Sequence, residues 1–472
     1  MKAEERHGLV IVGGGRAGLA ATIEARRAGV DTCLIDERPR LGGQMFCAPS
    51  STLPARESTW LDREDSERRR LIDVARDRGA RILSQTTVWG IWGSGVALYH
   101  PERGASVIHG DQILLATGGR DRPLVFPGWT QPGVCTLSEI QELVGEQRIV
   151  PNQRILLAGS GPLVPIVARR LHRAGAHLVM VLEAAPDPVP EKLATLLDAT
   201  SQAGILQDAV ASLAYLRCQG VPFRYGQLVV RAEGAARLER AVVARVDATW
   251  RCVPGSEETL EVDCLCLGYG FRPSSELSLL GGCQHKYDAT VGGGVPVHDE
   301  WQRTTVPGIL VAGAASGVAG ALGAVDEGRL AGLAAALDLG RLSLVEAVER
   351  AAPIRDRLAR QQRIQAALTA LYPVGPGIDD LITPDTVVCR CEGITAAEIA
   401  DACRETGGDS NAVKGLTRAG MGLCQGRGCE RAIASLVVQY ANLPLESVTA
   451  FTPRPPVRPV PLGSIADLWQ AD

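Results

Sequence analysis

Residues 9–12, LVIV, form an unbroken apolar run, followed by GGGRAG, then by LAATIEARRAG with apolar positions at helical spacing, then by a second apolar run, TCLID. This pattern predicts strand, glycine turn, helix and strand. The same order recurs over residues 155–183, ILLAGSGPLVPIVARRLHRAGAHLVMVLE, about 145 residues further on. Two nucleotide-type βαβ units are therefore expected in one chain.

Strand-like pieces also lie in QILLATGGRDRPLVFPG (112–128) and GILVAGAASG (308–317), each with a glycine loop after the strand. Over 341–371, Ile354, Leu358, Ile364, Leu368 and Leu371 share one side of a helical pattern, which YPVGPGIDD (372–380) then breaks. A cysteine-bearing module follows, and the tail FTPRPPVRPVPLG has too many prolines for a helix or central strand. It should run extended over another surface. The boundaries expected are 1–128 and 263–340 for a first nucleotide domain, 129–262 for a second, 341–384 for a helical linker, 385–445 for the cysteine module and 446–472 for the tail.

Gly13, Gly15 and Gly18 fit G-x-G-x-x-G between a strand and a helix, with Gly14 inside the turn. The spacing allows a tight turn, close approach to a pyrophosphate and close helix–strand packing, and the helix N-terminus offers unpaired N–H groups to the anion. Asp36 ends the next strand, where a carboxylate accepts ribose hydroxyls; Glu37 serves if the strand ends one residue later. In the second loop Gly159 and Gly161 keep the first two glycine positions, Val164 replaces the third, and Pro162 and Leu163 crowd the pyrophosphate approach. Glu183 suits an unphosphorylated ribose. An NAD(P)H site and a structural adenine-nucleotide site both remain open there.

With 472 residues and 46% hydrophobic content the chain can bury a sizeable core. Its 49 basic and 53 acidic residues, net −4, leave no electrostatic footprint for nucleic acid or an anionic membrane. The four-residue apolar run near the N-terminus is short for a secretory signal, which points to the cytoplasm. Residues 306–325 are uncharged and long enough to span a membrane, yet contain Pro307 and several glycines and precede Asp326, Glu327 and Arg329. They read as strand, loop and buried helix.

Thirteen cysteines without an export signal read as thiols or metal ligands rather than disulfides. Cys264 and Cys266 alternate along a probable strand and read as core. Cys47, with Thr52 five residues on, has no C-x4-C partner, which argues against disulfide-reductase chemistry. None of the seven histidines, at 7, 100, 109, 172, 177, 285 and 298, sits in a catalytic or metal motif, and no acid–base pair stands out.

Cys389-x-Cys391 and Cys424-x4-Cys429 form two close pairs of soft ligands. Such thiolates select iron–sulfur clusters or zinc, and the single-residue gap suits structural zinc poorly. Thr395 and Glu398 read as a capping box, and Cys429 opens a helix whose positive end favours a thiolate. Arg390, Arg418, Arg427 and Lys414 stand near enough in sequence to offset a cluster's negative charge, although solvated surface charge explains them equally well. Glycines 420, 422, 426 and 428 free backbone N–H groups to approach sulfur, which raises a cluster's potential.

The stretches DERPRLGGQ (36–44) and LLATGGRDRP (114–123) resemble the two-dinucleotide-domain flavoproteins. That resemblance implies FAD at the first loop, with Gly43, Gln44, Thr117, Gly118 and Gly313 beside it. The family's strand at 309–313 usually ends in Gly-Asp, whose carboxylate binds the ribityl chain; here Ala314 follows Gly313, and Ser316 is the candidate substitute. The cysteine spacing resembles the bacterioferritin-associated-ferredoxin-like module, implying a 2Fe-2S cluster. The implied fold is α/β, with two Rossmann-like, glutathione-reductase-like domains plus a small helical C-terminal 2Fe-2S domain.

Across nearly the whole chain, including GYGFRPSSELSLLGGC (268–283) and RPPVRPVPLG, the order resembles the α-type subunits of heteromeric opine oxidases, hydroxyproline and proline dehydrogenases, and the middle subunit of hydrogen cyanide synthase. The resemblance implies a partner β-subunit, namely a glycine-oxidase-like flavoprotein, that oxidises a C–N bond. It also implies a small ferredoxin-like subunit in the complex, and inner-membrane association only through an acceptor. Two other functions remain open: a stand-alone NAD(P)H-dependent reductase, and a non-catalytic scaffold stabilised by nucleotide.

Overall fold

The computed structural model describes residues 5–44, 59–151, 153–187, 204–318, 320–448 and 450–469; Cys47 and Thr52 lie outside them. The first apolar run becomes the strand Glu5–Val12 at the centre of a seven-stranded sheet. It pairs in parallel with Thr32–Ile35 on one side and Gly104–Leu115 on the other. Leu9 and Ile11 enter one core, with the helices Arg16–Arg27 and Gly320–Asp338, and Val10 and Val12 enter the core on the opposite face. Burial on both faces is why this strand reads as a continuous apolar run rather than an alternating one. Ile309–Val311 pairs in parallel with Gly104–Leu115, so the stretch 306–325 is strand, loop and helix.

The second unit builds a five-stranded sheet in the order Phe223–Tyr225, His177–Glu183, Arg154–Gly159, Cys264–Gly268, Val134–Thr136, every neighbouring pair parallel. The strand Cys264–Gly268, expected to open the return of the first domain, thus belongs to the second sheet, and the crossover falls after it. Cys264 and Cys266 are buried, as expected of core residues, and both touch Cys135 on the neighbouring strand.

A capping box of Ser343 and Glu346 starts the helix Leu344–Leu371, which packs on Gly320–Asp338 and ends beside the second domain. The chain then lays Ile378 and Leu381 into the second domain's core before the cysteine module begins. There a short hairpin, Val387–Cys389 with Ile394–Thr395, and the helices Ala396–Thr406, Ser410–Thr417 and Glu430–Ala441 surround Ile399, Val413, Ile433 and Val437. The module is docked rather than tethered. Trp129 Nε1 donates to Val387 O at 2.6 Å, and Arg431 grips the Asp379 carboxylate with two nitrogens.

Residues 450–461 of the tail run without regular structure over the module and the first domain. Phe451 is buried against the cysteine loop, Val457 N donates to Trp89 O at 2.9 Å, and Arg458 reaches Glu37 at 3.5 Å. The tail is not extended throughout: Leu462–Trp469 is a helix packed on the strand Gly104–Leu115, beginning where the prolines stop.

Candidate functional site

The strand Thr32–Ile35 ends one residue before Asp36, which favours Asp36 over Glu37 as the ribose acceptor. Asp36 is buried, and its carboxylate accepts Gly14 N at 2.6 Å and Arg38 N at 2.7 Å. Burial raises its pKa, and those two amides oppose the rise. An ionised carboxylate has about four acceptor positions, so positions remain for ribose hydroxyls. Glu37 is exposed and belongs to the ion pair with Arg458.

The glycine turn that Asp36 braces admits no side chain. Gly13 has φ +110°, and a Cβ on Gly18 would lie 1.9 Å from Gly13 O. Gly15 caps the helix Arg16–Arg27 without any side-chain acceptor, leaving the helix's first N–H groups to a ligand. Gly15 and Gly43, with exposed Gln44, line a cavity of about 720 Å³. This cavity runs past Thr117 and Gly118 to Gly313, and reaches Gly161 of the second loop. Thr117 and Gly118 are clasped to the chain at Ser274: Thr117 Oγ1 donates to Ser274 O at 2.8 Å and Ser274 N to Gly118 O at 3.0 Å. The volume, the phosphate cradle and the ribose carboxylate fit a dinucleotide at the first loop.

Ser316 does not take the place of the missing aspartate. Its hydroxyl lies 2.7 Å from Gly313 O and 2.8 Å from Glu327 Oε2, and Glu327 also accepts Gly313 N at 2.7 Å. Burial pushes the Glu327 carboxyl up to about 7, while Ser316 and Gly313 pull it down. A hydroxyl carries one proton, so Ser316 donates to either Gly313 O or Glu327 Oε2, and both acceptors lie within the protein rather than in the cavity. The motif reading missed Glu327, whose partner loop lies eleven or more residues earlier in the chain.

The second loop repeats the first in one respect and departs in another. Glu183, buried, accepts Gly161 N and Ala185 N, each at 2.9 Å, as Asp36 accepts Gly14 N. Burial raises its carboxyl to about 7. The helix that follows is Leu163–Arg173, with Pro162 at its cap. With Gly161 N engaged and no N–H on Pro162, this loop offers a pyrophosphate fewer donors than the first. Gly159 lies against Gly268 O, where a Cβ would come within 2.3 Å, and Val164 fills the third glycine's place as a buried core residue.

In the cysteine module the thiols meet as two pairs that ignore sequence order: Cys389 with Cys429, and Cys391 with Cys424. The first pair is buried; Cys391 is exposed and Cys424 partly so. A single tetrahedral zinc with Zn–S of about 2.3 Å would bring all four sulfurs to about 3.8 Å of one another. Among the described residues, no three of these sulfurs lie mutually within 4.8 Å. Two pairs suit two irons, each taking two thiolates. The hydrogen bond from Cys429 pulls the Cys389 thiol down to about 5 and pushes Cys429 up, which favours the thiolate at Cys389.

Capping and packing hold these ligands. Thr395 and Glu398 form the expected capping box, and Cys429 is the N-cap of Glu430–Ala441. Gly420 N donates to Cys389 Sγ at 3.5 Å. Two neighbours serve packing: Gly426, like Gly420, seats Phe451, and a Cβ on Gly422 would lie 2.3 Å from Cys391 Cβ. Of the four basic residues, Arg390 and Arg418 are exposed, Lys414 stacks over Phe451, and Arg427 is partly buried beside the ligand loop. Among the described residues the one group of three metal-capable side chains within 4.8 Å is Glu5, His7 and Cys33, where Asp31 and Glu5 already occupy both His7 nitrogens.

The chain matches the pyridine nucleotide-disulphide oxidoreductase family over residues 7–328 and the BFD-like 2Fe-2S binding domain over 387–439. It is 34% identical to hydrogen cyanide synthase subunit HcnB of Pseudomonas aeruginosa, covering 97% of this chain and 98% of that protein. It is 31% identical to an opine oxidase subunit of Rhizobium meliloti, covering 98% and 88%. In fold it resembles the L-proline dehydrogenase of P. horikoshii, TM-score 0.69 at 20% identity, covering 98% of this chain and 81% of that one. The thioredoxin reductase of T. acidophilum aligns at TM-score 0.52 and 20% identity over 71% of this chain and 99% of its own. Among the described residues no helix is long and apolar enough to cross a membrane. The matched domains make this chain an oxidoreductase with FAD and 2Fe-2S cofactors. It belongs to the pyridine nucleotide-disulphide oxidoreductase family, with a C-terminal BFD-like domain of its own and with HcnB and the opine oxidase subunit as relatives along nearly its whole length.

Proposed function

We propose that this chain is the electron-transferring subunit of a heteromeric dehydrogenase for an amino acid or opine-type secondary amine. A partner flavoprotein subunit, glycine-oxidase-like, oxidises the C–N bond; a small ferredoxin-like subunit is a further partner. FAD beside a 2Fe-2S cluster converts two-electron delivery into single-electron steps when both are bound. In this reading Gly13, Gly14, Gly15, Gly18, Asp36, Gly43, Gln44, Thr117, Gly118 and Gly313 hold the flavin, and Cys389, Cys391, Cys424 and Cys429 hold the cluster. Gly159, Gly161 and Glu183 hold an adenine nucleotide that is not a hydride donor.

The observation that carries the reading is the docking of the cysteine module onto the strands that bear the flavin loop. Arg120, two residues after Gly118, meets Glu276, which meets Arg427 between the ligands Cys424 and Cys429. A partner is favoured because the relatives are named as subunits. The chain acts in the cytoplasm, at the inner membrane only where its acceptor is.

Anaerobic spectroscopy tests this. NADH added to the isolated chain should leave the flavin oxidised, whereas an amine substrate with the partner subunit should reduce flavin and cluster. Rapid bleaching by NADH alone would establish a self-sufficient reductase instead. A preparation without flavin absorbance or iron would favour a scaffold.

A further inference from the structure

Arg120 and Arg272 are register partners across the antiparallel ribbon of Gly119–Asp121 and Phe271–Pro273. Directly opposed residues point to the same face of such a pair. Arg272 reaches the cysteine module directly, and Arg120 reaches it through Glu276. Arg272 is 3.3 Å from Glu430, the residue after Cys429, and Arg120 NH1 is 2.5 Å from Glu276 Oε1. The same Glu276 oxygen lies 3.1 Å from Arg427 Nε. Arg427 has two more contacts: NH1 donates to Cys424 O at 3.1 Å and NH2 to Val457 O at 2.9 Å.

We propose that Arg427 is a positioning residue for the 2Fe-2S cluster, tying its ligand loop to the flavin-side ribbon and making the cluster easier to reduce. The inference rests on the cluster assignment above. It does not depend on which substrate the complex oxidises.

Charge balance supports it. Arg120 and Arg427 share one carboxylate, so their group keeps one positive charge; Arg272 with Glu430 and Arg431 with Asp379 are ion pairs, with Lys414 also beside Glu430 and buried Arg122, bonded to Thr290 O, beside Arg272 and Arg431. Burial alone would raise Glu276, but Arg120 and Arg427 hold it below the ordinary carboxylate value, so it stays ionised between them. The Arg427 side chain is only 13% exposed, so solvent and salt screen it weakly. Reducing the cluster by one electron adds a negative charge, which a neighbouring unbalanced cation stabilises. Arg390 and Arg418 are exposed and contribute far less. The link to Cys424 O also fixes the loop's backbone, a contact that a lysine's single nitrogen does not reproduce.

The test is an EPR-monitored potentiometric titration of the full chain, with iron and sulfide content measured on each preparation. Arg427→Met should leave the loaded clusters about tenfold harder to reduce, a fall of about 59 mV for a one-electron couple. Glu276→Gln should shift the potential the opposite way, because it leaves both guanidinium groups uncompensated. Arg427→Lys should retain most of the potential but lose iron faster to a chelator. Arg404→Met, on the module's exposed surface, should move neither value. An unchanged potential in the loaded fraction of Arg427→Met, or shifts of the same sign in Arg427→Met and Glu276→Gln, would overturn the proposal. A wild-type chain without iron or an EPR signal would overturn the cluster assignment itself.

Discussion

Glu327 accepts the amide hydrogen of Gly313 at 2.7 Å, closing from beneath the loop that faces the flavin cavity. Its carboxyl titrates at about 7 in the folded chain against 4.5 ordinarily. Between those values the folded state binds the proton and the unfolded state does not, so the group's contribution to stability is present below about pH 4.5 and is lost as pH rises to 7. Glu327→Gln keeps an acceptor for Gly313 but has no proton to lose. Denaturant titrations across pH 4.5–8 should show the wild type losing roughly 3 kcal/mol relative to this variant over that window. A pH-independent difference would place the charge of Glu327 outside the folding equilibrium.

Gly18→Ala should release the flavin. The added Cβ would lie 1.9 Å from Gly13 O, and the loop must open by more than a side-chain adjustment to admit it. We expect flavin absorbance per chain to drop at least about tenfold, with the iron content of the cysteine module retained.

Gly422→Ala should act on the other cofactor. Its Cβ would meet Cys391 Cβ at 2.3 Å and Glu392 Oε1 at 2.9 Å, displacing a ligand at a cost of about 1–3 kcal/mol. Iron per chain should fall. Gly415→Ala, where nothing lies within 4 Å of the added atom, is the matched control and should keep its iron.

Removing the Thr395 cap isolates local stability from ligation. The hydroxyl accepts Glu398 N, and Glu398 returns a bond to Thr395 N at 2.7 Å. Thr395→Ala should cost about 1 kcal/mol and lower the module's thermal midpoint, without changing the cluster's absorption spectrum.

These residues also mark what sequence reasoning reaches. The two strand–glycine–helix–strand units, the Thr395 cap and the helix after Cys429 are legible because each depends on residues within a turn or two of one another. The pairing of Cys389 with Cys429 is not, because it depends on how the hairpin and the last helix of the module fold together. Sequence alone places the strand Cys264–Gly268 in the first domain because its apolar run suits either sheet; long-range pairing with Arg154–Gly159 decides between them. Glu276 and Arg427 sit about 150 residues apart in sequence, each an ordinary charged residue until the tertiary fold joins them.

The tail has a bearing on how the protein is made. Residues 451–458 cover the cysteine loop through Phe451 and Arg427's bond to Val457, and they leave the ribosome after all four cysteine ligands. The segment that covers the ligand loop is therefore made after the ligands themselves, so the order of synthesis sets the four cysteines before their cover.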